Sequence, residues 1–133
     1  MSGAAIARNL LINSAGLTAL VPSTRIIAGV IPQATALPCI GITEVSSTDR
    51  HTLKGGAFVK VTELVQITVL AATYPACKAA LSQVRKAGRN YVGDIGNYTG
   101  ITCHLDNKGP DFQSDTGFCA QSQDYRITFT EAA

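Results

Sequence analysis

A change of hydrophobic period in the middle of the chain constrains the fold more than any other feature. From Val61 to Ala72, VTELVQITVLAA, apolar residues alternate: Val61, Val65, Ile67, Val69 and Ala71 share one face, with Thr62, Gln66 and Thr68 opposite. Period two is the signature of a half-buried strand. From Thr73 to Ala87, TYPACKAALSQVRKA, the spacing of Cys77, Ala80, Leu81 and Val84 becomes i, i+3, i+4, i+7, that of an amphipathic helix. Thr73 offers an N-cap hydroxyl, and Pro75 stands in the first turn, where no N–H is needed. The chain therefore has to turn from a central strand directly into the helix that covers it.

The rest of the chain supplies partners for that pair. Ser2 can cap a helix from about Ala4 with Ile6 and Leu10 at helical spacing, and Leu17, Leu20 and Val21 continue the stripe past a break expected at Gly16. Arg25–Ile31 and Cys39–Ser47 are β-branched and bounded by prolines or turn residues, which predicts two strands separated by a surface connection at Pro32–Pro38. Asp49–Lys60 reads as a long polar hairpin connection, and Gly88–Gly100 as an irregular, glycine-punctuated segment. A short strand at Ile101, Cys103 and Leu105, a polar connection at Asn107–Gly117 and a last strand from Cys119 to Thr130 complete the order. Its Tyr125, Ile127 and Phe129 oppose Asp124, Arg126 and Thr128. The expected class is α+β: a mostly antiparallel sheet of four to five strands with two main helices on one face, in a single domain over 1–133.

Charge and cysteine content exclude several functions. Eleven basic and nine acidic residues give a net charge of +2. No basic stripe interleaves with aromatic residues, so sequence-reading of nucleic acid is not expected. Pro32, Gln33 and Pro38 interrupt the uncharged run Ile26–Thr43, which argues against a membrane helix. Arg8 followed by LLINSAGLTALV imitates a signal peptide faintly, but Asn13, Ser14 and Gly16 break its apolar region, and a mature, intracellular start is expected. Cys39, Cys77, Cys103 and Cys119 show no C-x-x-C spacing; they read as reduced core thiols, with disulfides of a secreted domain as the other possibility.

Candidate chemistry is sparse. Asp115-Thr116-Gly117 matches the triplet from which two small subunits build an aspartic-protease dyad, but Gln113 and Ser114 precede it where an apolar strand is required. Asp106, Asn107, Asp111 and Asp115 lack EF-hand spacing and read as a solvated loop. Cys103 and His104 are adjacent on a strand and point to opposite faces, so they do not form a nucleophile–base pair. Nothing in the sequence favours a pairing of His51 with Cys39 or Cys119. Glycines 88, 93, 96 and 100 do not fit a phosphate-cradling loop, and Asn97-Tyr98-Thr99 is a sequon without a secretory route. No catalytic residue, cofactor or metal is expected. The basic residues Lys78, Arg85, Lys86 and Arg89 read either as a solvated face complementing the helix C-terminus or as a docking surface for an acidic partner.

Four stretches together carry a resemblance: LLINSAGLTALVPSTRI, VIPQATALPCIGI, ELVQITVLAATYPACKAALSQVRKA and the closing DYRITFTE after a polar acidic loop. The chain resembles the tail completion or tail terminator family of long-tailed bacteriophages, small α+β proteins of the head-proximal tail end. Gly88–Gly100 departs from that pattern in being longer and richer in glycine. The resemblance implies a structural virion protein, assembled in the host cytoplasm. Copies would form a ring, a hexamer, on the last tail-tube subunits, stop polymerisation and meet the head-completion or connector protein, while DNA passes through the lumen without specific binding. The interface candidates are Asp49, Arg50, His51 and Lys54 in the first long connection, Arg85, Lys86 and Arg89 on the helix, and Tyr91, Asp94 and Tyr98 in the glycine-rich segment. The two connections are expected to order on docking. The alternatives are a head–tail adaptor or minor tail-tube component, and a small enzyme with an intersubunit site built from His51, Asp115 and a cysteine.

Overall fold

The computed structural model describes residues 2–29, 37–50, 58–95, 98–109, 112–113 and 118–132. Helix α1 spans Ser2–Ile12 and α2 spans Ala15–Thr18; a 3-10 turn at Ser23–Arg25 leads into β1, Ile26–Ala28. Strands β2 (Cys39–Arg50) and β3 (Phe58–Ala71) precede α3 (Tyr74–Gly88). Then come β4 (Tyr91–Ile95), β5 (Tyr98–Lys108), the two-residue β6 (Phe112–Gln113) and β7 (Cys119–Ala132). The sheet runs in the order β1-β2-β3-β7-β5-β4, with β6 paired to β7 off this path.

The fold is α+β, but the sheet is larger than the expected four to five strands. It is also mixed, because β1 pairs parallel to β2 whereas the other pairings among the described residues are antiparallel. Period-two patterning carries no strand direction, so the parallel edge was not legible. Its spine is the β3–β7 ladder, in unbroken register from Phe58 opposite Ala132 to Ala71 opposite Cys119. Matching alternation in both strands specifies that register, since a slip of one residue would turn every buried side chain of β7 to the bare face.

The buried face of this ladder carries Val61, Val65, Ile67, Val69 and Ala71 from β3 and Tyr125, Ile127 and Phe129 from β7. Against it pack Ile6, Leu10 and Leu11 of α1 and Cys77, Ala80, Leu81 and Val84 of α3. Thr73 caps α3 as the sequence predicts, its hydroxyl accepting from the Ala76 N–H at 3.3 Å. The break in the N-terminal helix falls at Asn13–Ser14 rather than at Gly16, and Ser14 caps α2 by accepting from the Leu17 N–H. The chain stops helical winding where a short polar side chain can satisfy an orphan N–H.

Two further expectations are corrected. Asp49–Lys60 is not a connection throughout: β2 runs on to Arg50 and β3 begins at Phe58, with Asp49 opposite Val61 and Arg50 opposite Lys60. Gly88–Gly100 is not irregular throughout: Gly88 belongs to α3, Asn90 takes the left-handed conformation that ends it (φ 53°), and Tyr91–Ile95 is strand β4. Asparagine tolerates that conformation through its short polar side chain.

At the N-terminal end Glu63 is a buried carboxylate on the helix-covered face, 4% exposed. It accepts from the Gly3 N–H at 2.9 Å and from the Ser47 hydroxyl at 3.5 Å, so strand β3 caps the first turn of α1. A side chain at position 3 has no room, because an added Cβ would lie 2.2 Å from the Glu63 Oε2. Burial, and then the Glu44 carboxylate, push the Glu63 pKa up, partly offset by the Gly3 N–H. A raised folded pKa means that the native state holds the proton more tightly than the unfolded chain. The contribution to stability is full below the unfolded value and is lost as pH rises through the raised one. Glu63→Gln keeps an acceptor for Gly3 and removes the charge, so its urea midpoint should match or exceed the unsubstituted chain's at neutral pH and change less between acid and neutral pH. Glu63→Ala leaves the Gly3 N–H unpaired and should cost about 1–3 kcal/mol.

Candidate functional site

The candidate interface residues separate into three described regions. At one end of the sheet, Asp49 and Arg50 close β2, and the row through Lys60, Thr130 and Thr99 crosses β3, β7 and the start of β5. Tyr98 lies beside this row, paired with Ile95 of β4. Fourteen strand residues extend ~46 Å and a fifteen-residue helix only ~22 Å, so α3 cannot cover the full length of β3. Ser46, Ser47 and Thr48 are exposed, beyond a register shift between Glu44 and Ser46. His51 and Lys54 lie outside the described residues, as do the Asp111 and Asp115 carboxylates and the D-T-G triplet.

The β4–β5 hairpin lies at one edge of the sheet. Asp94 accepts from the Gly100 N–H at 2.9 Å, and Gly100 has φ +60°, so the aspartate is part of the hairpin's own framework. Tyr91 and Tyr98 are half-buried against the core, the Tyr98 ring standing edge-on to Phe129 at 5.3 Å between centroids and 78° between planes. Val92 turns outward, 74% exposed on the opposite face of the strand. That strand face could have been found by alternation: Tyr91, Gly93 and Ile95 are half-buried, Val92 and Asp94 exposed.

The third region lies along α3 and the end of β5. Lys78, Ser82, Arg85 and Lys86 form one stripe along α3 and, with buried Leu81 behind them, Arg89 at the helix C-cap and Lys108 from the end of β5, line a concave site of about 170 Å³. No acidic residue occurs from position 64 to 93. Lys78 donates to the Gln121 side chain and sits 4.9 Å from the centroid of the Tyr74 ring. Gln121 in turn donates to the Gly109 carbonyl at 2.7 Å, which ties the end of β5 to the helix. The Arg85 Nε is buried with no hydrogen-bond partner among the described residues. The sequence marked Arg85, Lys86 and Arg89 but not Lys108, whose approach depends on the β5–β7 pairing.

Catalytic geometry is not assembled by the described residues singled out for it. Cys103 is buried and burial pushes its thiol up to about 12, whereas the adjacent His104 is exposed on the opposite face. A thiol so protonated is a poor nucleophile. Asp106 forms an exposed ion pair with Arg126 at 2.9 Å, worth little to stability. Among the described residues no group of three His, Cys, Asp or Glu side chains could hold a metal, and no helix is long and apolar enough to cross a membrane.

Comparison with known proteins places this architecture. No curated protein sequence matches the chain. Among solved structures, a chain from the virion of a native gene transfer agent particle has a similar fold, with a TM-score of 0.65 and 18% identity over 96% of this chain and 93% of that one. The family model for tail completion protein gp17 matches residues 5–130, from α1 to the end of β7. The chain therefore belongs to the tail completion protein gp17 family and is a structural protein of a phage virion.

Proposed function

We propose that copies of this chain form a closed ring, a hexamer, at the head-proximal end of a phage tail tube, where they stop tail polymerisation and present a surface to the head connector. The observation that carries this reading is the family match across residues 5–130. Its partners are other copies of the chain, the major tail-tube protein and the head-completion or connector protein, with DNA passing through the lumen without specific contacts.

The shape of the subunit supports the reading. A cyclic ring uses a heterologous interface, in which two different patches of one chain meet. Two such patches are available: the end of the sheet around Arg50 and Lys60, and the β4 edge with Val92 turned outward. Unpaired strand edges are also the parts of a sheet best suited to joining a neighbour.

Electron microscopy of particles made without the protein tests this role. Overlong or unjoined tails are the expected result. Tails of regular length that fail to attach to heads would assign the chain to an adaptor role, and regular tails properly joined to heads would overturn the proposal.

A further inference from the structure

The basic groove along α3 has a feature that a solvated helix face does not explain. Exposed lysines and arginines satisfy their donors with water, but the Arg85 Nε is withdrawn from solvent and lacks a hydrogen-bond partner among the described residues. A buried, unpaired donor on a charged group is costly. Around it Lys86 of the same helix, Arg89 at its C-cap and Lys108 from β5 converge on one concavity, with Ser82 as a further polar group. Several positive charges so close together repel one another. An anion entering the concavity would pair the orphan donor and relieve that repulsion.

We infer that this groove binds the carboxylates of an acidic segment on a neighbouring virion protein. The inference rests on the chain's place in a protein assembly for the class of occupant, and on the groove for the chemistry. Guanidinium groups at Arg85 and Arg89 match the planar fork of a carboxylate. A concave site of about 170 Å³ has room for acidic side chains. A DNA surface is a poorer description. Backbone phosphates are met by cations spread along a duplex, and single strands by stacking platforms. Here the cations surround one hollow, none of the groove-lining residues is aromatic, and the whole chain carries only +2. The chain's own sequence shows what an occupant looks like: residues 94–124 hold Asp94, Asp106, Asp111, Asp115 and Asp124 against Lys108 as the one basic residue.

The probe is a fluorescein-labelled hexaglutamate peptide, titrated with the full-length protein at low ionic strength and followed by anisotropy, with a hexaserine peptide as control. Saturable binding to hexaglutamate is expected, weakened about tenfold or more in Arg85→Gln and in Arg89→Gln and largely lost at high salt. Arg126→Gln, which removes an exposed cation on the opposite face of the sheet, should bind as the unsubstituted chain does. Circular dichroism establishes that each variant is folded, and exposed Arg89 supplies the test if Arg85→Gln is not. Absent binding, or equal weakening by Arg126→Gln, would overturn the inference. So would tighter binding of a short DNA duplex that displaces the peptide, which would assign the groove to nucleic acid. Peptide binding confined to an Asp111→Asn, Asp115→Asn variant would assign it to the chain's own acidic loop. The peptide assay reads the groove alone and the tail-length experiment reads the assembly role, so either can fail without the other.

Discussion

Replacing Gly88 with alanine is expected to destabilise the fold by about 1–3 kcal/mol, although in an unconstrained helix the same change favours helix by about 1 kcal/mol. The sign reverses because of what the last turn of α3 rests on. Tyr125 of β7 is fully buried, and its hydroxyl donates to the Val84 carbonyl one turn earlier. The ring passes directly beneath Gly88, where an added Cβ would lie 2.3 Å from Cζ and under 3 Å from both Cε atoms. Neither a fully buried ring nor a helix backbone has anywhere to go, so the helix end must lift from the sheet. The urea midpoint should fall with the slope unchanged, the mark of lost stability without altered unfolding. The cause can be isolated in a Tyr125→Leu background, which removes the ring. There Gly88→Ala should become neutral or stabilising, giving a coupling of about 0.5–3 kcal/mol. Simple additivity of the two changes would show that the contact does not govern the position.

Gly88 also shows where sequence reading stops. Placed just after a clear amphipathic run, it looks like a terminator, and with the glycines at 93, 96 and 100 it suggested an irregular segment. Its actual reason is a tyrosine 37 positions later, brought beneath it by the β3–β7 register. The central strand, its helix and the last strand were legible because each keeps one hydrophobic period, over Val61–Ala71, Cys77–Val84 and Tyr125–Phe129. The end of β2, Thr48–Arg50, was not, because it is wholly polar and its pairing with β3 leaves no apolar alternation to detect. Strand β4 had the alternation, but in only five residues with a glycine at its centre. Of the candidate surface, the helix cations were visible as a charge pattern. The hollow they line was not, since it needs Lys108, which is 19 residues beyond Arg89 and reaches the helix only through the sheet.

Phe129→Ala should cost more than any surface change, about 3–5 kcal/mol, as expected for a fully buried ring replaced by a methyl group. In a domain whose total stability is about 5–15 kcal/mol, that loss moves the unfolding midpoint far enough to be read directly in a denaturant titration. Phe129 is opposite Val61 in the ladder and meets Tyr98 edge-on, so one ring joins the central strand to the β4–β5 hairpin. The pair bears on function, because Tyr98 is also a candidate interface residue. If its part in assembly runs through packing, Tyr98→Ala should lower the stability of the isolated chain and show a coupling of about 0.5–1.5 kcal/mol with Phe129→Ala. Tyr98→Phe should then retain both stability and assembly. If the hydroxyl meets a neighbouring subunit, Tyr98→Phe will instead leave the isolated chain unchanged and impair assembly alone. Half-buried against the core, Tyr98 spends its ring on Phe129, and the packing outcome is the expected one.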